Sequence, residues 1–83
     1  MRMRVRVRLF AGLREATGND KLELELPDGA SVEDAWRSLA GRHPALVPRR
    51  ASLAVAVNRA YAGFDATLAD GDEVAFIPPV SGG

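Results

Sequence analysis

The stretch RMRVRVRLFAGLREATGNDKLELELPDGASVEDAWRSLAG, residues 2–41, decides the fold of this chain. Met3, Val5, Val7 and Leu9 alternate with Arg2, Arg4, Arg6 and Arg8, the period-two pattern of a strand with one buried face. Leu22, Leu24 and Leu26 alternate in the same way with Glu23 and Glu25. The arginines of the first strand and the glutamates of the second suit an antiparallel pair with opposite charges on its wet face. Between them, Phe10 to Gly18 has room for one helical turn before a glycine stop. Pro27-Asp28-Gly29 is a turn. Ser31 then reads as an N-cap, with Glu33 and Asp34 in a first turn where the helix dipole favours acids. Val32, Ala35, Trp36, Leu39 and Ala40 fall on one helical stripe, and Gly41 and Pro44 are expected to end the helix.

Beyond this stretch, residues 43–50 read as a loop closing on Arg49 and Arg50, both expected to be solvated. Leu53, Val55 and Val57 alternate with Ala54 and Ala56 as a third strand. Asn58 to Gly63 reads as a turn with a short strand around Tyr61, and Asp70-Gly71-Asp72 as a tight turn. Glu73 to Ile77 is the last strand, stopped by Pro78 and Pro79. Strand, strand, helix, strand, short strand, strand describes an α+β sandwich. We expect a β-grasp, or ubiquitin-like, fold: a mixed sheet of four to five strands with one main helix packed on one face. A ferredoxin-like plait would need a second full helix between residues 58 and 72, where Gly63 stands and no helical stripe runs.

The 83 residues suffice for one domain,. We expect it to span residues 1–77, with 78–83 as a flexible Gly-Gly tail. There is no cysteine, which excludes disulfides, thiolate metal sites and cysteine nucleophiles together. The lone His43 cannot build a metal site by itself. Asp70, Asp72 and Glu73 are acids of a turn rather than a calcium loop, so no metal is expected. Net charge is zero, with +3 over residues 1–50 and −3 over 51–83, which argues against nucleic acid as a partner. No apolar run approaches a membrane span and no signal peptide is visible, so the expected location is cytoplasmic, with no membrane partner.

Pro78-Pro79-Val80-Ser81-Gly82-Gly83 carries the chemistry. Two prolines with fixed φ stiffen its base. Extended, six residues reach roughly 20 Å. Gly82 and Gly83 lack a Cβ, so the end fits a channel too narrow for other side chains. A terminal carboxylate has an ordinary pKa near 3.5 and is ionised at neutral pH. That makes it a poor electrophile until it gains a better leaving group. No Gly-rich phosphate loop with a following lysine occurs here, so activation must come from a partner that uses ATP.

LFAGLREATG at residues 9–18, AVN at 56–58 and LADGDEVAFIPPVSGG at 68–83 resemble the small subunit of molybdopterin synthase, a family of ubiquitin-like sulfur carriers. The likeness runs over essentially the whole chain. It implies that an E1-like adenylyltransferase activates Gly83 with ATP and that the adenylate becomes a thiocarboxylate. The tail, Pro78 to Gly82, would then enter the large synthase subunit and deliver sulfur to cyclic pyranopterin monophosphate in molybdenum cofactor biosynthesis. Catalytic residues would belong to that large subunit, in a heterotetramer, and this chain would bind no cofactor. The resemblance also places Phe10 and Arg14 near the partner. Tyr61, Ala75 and Ile77 complete the expected interface, with Ile77 standing where many relatives carry phenylalanine. Ala54, Ala56, Ala75 and Ile77 should form an apolar patch opposite the helix, of the kind that marks an interface. Residue chemistry alone leaves the acceptor open: thiazole or tRNA thiolation, or a ubiquitin-like protein modifier, would use the same tail.

Overall fold

A computed structural model describes residues 1–79 of the chain. Strand β1 (Arg2–Leu9) runs antiparallel to β2 (Lys21–Pro27), with Arg4 opposite Glu25 and Arg6 opposite Glu23. The alternation of the sequence is the alternation of burial: Met3, Val5, Val7 and Leu9 are buried. On the other face Arg4 Nε lies 3.5 Å from Glu23, Arg4 Nη2 3.5 Å from Glu25, and Arg2 Nη1 3.5 Å from Glu25. The linker between these strands holds a seven-residue helix, α1 (Ala11–Thr17), longer than the single turn expected. Gly18 closes it at φ +74° and donates its N–H to the Arg14 carbonyl, a left-handed cap that glycine adopts without Cβ strain.

Helix α2 (Val32–Arg42) starts as the sequence dictates. The Ser31 hydroxyl accepts from the Asp34 N–H at 3.2 Å, and the Asp34 carboxylate accepts from the Ser31 N–H at 2.9 Å. This reciprocal box satisfies two otherwise orphan donors. Val32, Ala35, Trp36 and Leu39 are buried against the sheet, with Ala40 half-buried at the edge of the stripe. The helix does not stop at Gly41. It runs to Arg42 and is capped at His43, because the residue before a proline is pushed out of the helical region.

Pro44–Ser52 corrects the sequence reading. The segment is a 3-10 helix rather than a loop, and Arg50, with its side chain still 43% exposed, is also a clasp. Arg50 Nε donates to Glu33 at 3.1 Å, Arg50 Nη2 makes a second, very short contact with the same carboxylate, and the guanidinium stacks 3.9 Å from the centroid of Phe64. Phe64 in turn stacks on Phe76. One arginine thus ties the segment to α2 and to the loop ahead of the last strand.

Strands β3 (Ala54–Val57), β4 (Ala60–Ala62) and β5 (Glu73–Ile77) complete a five-stranded sheet in the order β2-β1-β5-β3-β4. Only β1 and β5 are parallel, so the last strand occupies the middle of the sheet. The β3–β4 turn puts Asn58 and Arg59 at φ +49° and +71°, the left-handed pair of a tight hairpin. Asn58 Nδ2 donates to Asp72 at 2.9 Å, the Glu73 N–H donates to Asn58 Oδ1 at 2.9 Å, and the Ala69 N–H donates to Asp72 at 2.8 Å. Asp70 accepts from the Arg4 N–H at 2.8 Å. The acids of this turn therefore latch backbone. No helix among the described residues is long and apolar enough to cross a membrane.

The clasp and the cap respond to acid. Hydrogen bonds from Arg50 hold the Glu33 carboxyl below its ordinary pKa, and those from Ser31 do the same for Asp34. A carboxyl lowered in the folded state stabilises it above the unfolded pKa and loses that contribution as pH falls through the folded value. We expect Arg50→Ala to lose less stability than the native chain between pH 7 and pH 3, measured by urea melts at both. Equal losses would show that the pair does not shape the acid limb.

Candidate functional site

The sheet has two faces, and α2 covers one. The register fixes what lies across the other. Ala75 of β5 has Arg8 of β1 on one side and Ala56 of β3 on the other, and Tyr61 of β4 stands beyond Ala56. Ile77 follows two residues on, opposite Ala54. Small side chains in the middle and large ones at the rim leave a shallow depression walled by Phe10, Tyr61 and Ile77. Ala56 at its floor is 8% exposed, while Tyr61 is 84% exposed. A tyrosine left almost wholly in water, next to half-buried Ala75 and Ile77, is an apolar surface without a cover.

A second depression adjoins the first along Phe10 and Ile77. Gly12, Leu53, Pro78 and Pro79 line it, with Arg49. The guanidinium of Arg49 rests over Gly12, where a Cβ would lie 2.7 Å from its Nη1. Pro78 and Pro79 thus leave the end of β5 directly beside the apolar face. Four of the five expected interface residues, Phe10, Tyr61, Ala75 and Ile77, meet on this face. Arg14 is exposed on α1 and lines neither depression. Val80, Ser81, Gly82 and Gly83, the rest of the expected tail, lie outside the described residues.

The approach of Arg49 to Gly12 was not legible in the sequence, since nothing local links residues so far apart in the chain. Arg8 was legible only as one member of a stripe. The structure separates it from the stripe: Arg2 and Arg4 pair with glutamates, whereas Arg8 lies 5.3 Å from the ring centroid of Phe10. Among the described residues no group of three acids or histidines is placed to hold a metal ion.

Fold and face together define a β-grasp, ubiquitin-like domain whose open sheet surface adjoins the root of its C-terminal segment. The chain belongs to the ThiS family, which matches residues 7–83. It is 41% identical to the molybdopterin synthase sulfur carrier subunit of Chlamydomonas reinhardtii, over 98% of this chain and all of the relative. It is likewise 41% identical to the subunit of that name from Escherichia coli, covering 95% of this chain and 99% of the relative. The crystal structure of Haloferax volcanii small archaeal modifier protein 1 superposes with a TM-score of 0.87 at 32% identity, covering 94% of this chain and 99% of that one.

Proposed function

We propose that this chain is the sulfur carrier subunit of a molybdopterin synthase and that the carboxylate of Gly83 is its reactive group. One observation carries the reading: a chain alike over nearly its full length to subunits of that name also leads its last strand, through Pro78 and Pro79, away from an uncovered apolar face. A carrier needs such a face, because a partner must grip the domain while the tail reaches its active site.

The chemistry follows from what the chain lacks. Without cysteine, sulfur must reside on the terminal acyl group. An E1-like adenylyltransferase joins the Gly83 carboxylate to the AMP part of ATP and releases pyrophosphate. A sulfur donor then displaces AMP, leaving a thiocarboxylate. The charged tail, Val80 to Gly83, enters the large synthase subunit, and sulfur passes to cyclic pyranopterin monophosphate. Two carriers in turn would supply the two dithiolene sulfurs, within a heterotetramer of two small and two large subunits, with the catalytic residues on the large subunit and no cofactor held by this chain. Phe10, Tyr61, Ala75 and Ile77 form the grip, with Arg14 at its margin, and the cycle runs in the cytoplasm.

Likeness to a small archaeal modifier protein favours a second reading, in which the activated terminus forms isopeptide bonds. Lys21 is the only lysine, so chains of this protein on itself would have a single anchor. Intact-mass measurement after co-expression with the adenylyltransferase and a sulfur source separates the two. We expect one oxygen exchanged for sulfur within the C-terminal peptide. A terminus left unmodified under competent conditions refutes the carrier reading, and covalent adducts on cellular proteins would replace it with the second.

A further inference from the structure

The arginines of this chain fall into two populations. Arg2, Arg4, Arg37 and Arg50 make ion pairs with Glu23, Glu25 or Glu33. Arg6, Arg8, Arg14, Arg42, Arg49 and Arg59 make none among the described residues, and three of these, Arg8, Arg49 and Arg59, surround the two joined depressions at the root of the tail. Arg8 is held over the face of Phe10. Arg49 lies over Gly12, with the Ser52 hydroxyl donating to its carbonyl at 3.2 Å. Arg59 projects from the hairpin turn next to Tyr61. Glu73 is the only carboxylate among the described residues that lines either depression. A protein of zero net charge therefore presents a local ring of positive charge around its apolar face.

We propose that this ring selects the partner: the face docks a protein surface that is apolar at its centre and carries aspartate or glutamate at its rim, opposite Arg8, Arg49 and Arg59. The inference rests on the carrier reading and adds to it the charge pattern of the docking partners. The reasoning is one of complementarity. The apolar floor supplies burial but little discrimination, while unpaired charges at a rim set encounter rate and register. Guanidinium groups already positioned by packing, as on Phe10 and Gly12, lose less freedom when they pair than unrestrained side chains do. On the β1–β2 half of the same sheet face, Arg2 and Arg4 are already met by Glu23 and Glu25 and Arg6 stands opposite Glu23, so that half offers a partner a weaker field.

The test is stopped-flow association of the full-length chain with the purified E1-like adenylyltransferase, at several salt concentrations. For the native chain we expect the on-rate to fall at least tenfold between about 50 mM and 1 M salt, as screening shortens from roughly 14 Å to 3 Å. The triple variant R8E/R49E/R59N, with asparagine at the left-handed turn position, should associate at least about tenfold more slowly at low salt and converge on the native rate at high salt. Reversal at the far helix end, R42E, should leave the rate unchanged. A native on-rate independent of salt overturns the proposal without any variant. A triple variant that is folded by circular dichroism and associates at the native rate overturns it equally. A native chain that fails to bind the adenylyltransferase at all refutes the carrier reading, and the charge pattern with it.

Discussion

Adding one residue after Gly83 will abolish sulfur transfer while leaving the fold unchanged. The acyl carbon of Gly83 would then belong to a peptide bond. Adenylation needs a free carboxylate oxygen as the nucleophile toward ATP, and an amide offers none. The core does not depend on the tail: its buried residues run from Met3 to Phe76, and the last described backbone pairing of β5 is Ile77 with Ala54. Thermal midpoints of the extended and native chains should therefore agree to within about 1–2 °C, well under the shift that a 1 kcal/mol loss gives in a domain this small. Thiocarboxylate formation, read by intact mass, should be undetectable in the extended chain. Normal charging of an extended chain that mass shows to be unprocessed would place the reactive group elsewhere. Deleting Gly82 and Gly83 should give the same pairing of intact stability and lost transfer, since the shortened tail would end on Ser81, two residues short of the carboxylate that the carrier reading makes reactive.

The second large effect falls on the core. Phe76 is fully buried at the centre of β5, edge-on to Trp36 with ring centroids 5.0 Å apart, and stacked on Phe64 at 6.3 Å. It joins α2, the sheet and the Arg50 clasp at one point. Phe76→Ala removes the largest of the fully buried side chains and should cost about 3–5 kcal/mol. In a small domain with total stability on the order of 5–15 kcal/mol, that is a loss of roughly 15–30 °C in thermal midpoint. Phe76→Leu keeps most of the volume and should cost far less. A melt by circular dichroism checks both, and a midpoint within a few degrees of native for the alanine variant would mean that the core closes over the gap.

Elements whose cause is local were legible from the sequence. The alternation of β1 and β2 and the N-cap at Ser31 follow from side-chain period and from orphan N–H groups, and neighbours in the chain supply both; Asp34, read only as an acid suited to the helix dipole, also closes the box. What the sequence hid depends on distant contacts. Pro44–Ser52 carries two prolines and reads as a loop, yet Arg50 finds Glu33 and Phe64 and winds the segment down. Gly41 reads as a stop, yet it is exposed and α2 continues past it to the restriction set by Pro44. The apolar face was half legible. Ala54, Ala56, Ala75 and Ile77 could be assigned to one patch opposite the helix, but only the register sets Tyr61 beside Ala56, and only the fold brings Arg49 to Gly12. The parallel pairing of β1 with β5 leaves no mark in either strand.

That pairing bears on how the protein is made. The first strand to leave the ribosome waits for the last, because β5 fills the gap between β1 and β3. Until Ile77 has emerged, the nascent chain is two separate ribbons with Leu9, Val55 and Trp36 lacking the residue they close on. The sheet therefore closes only once β5 is available, and a chain cut short before it lacks the strand that joins β1 to β3.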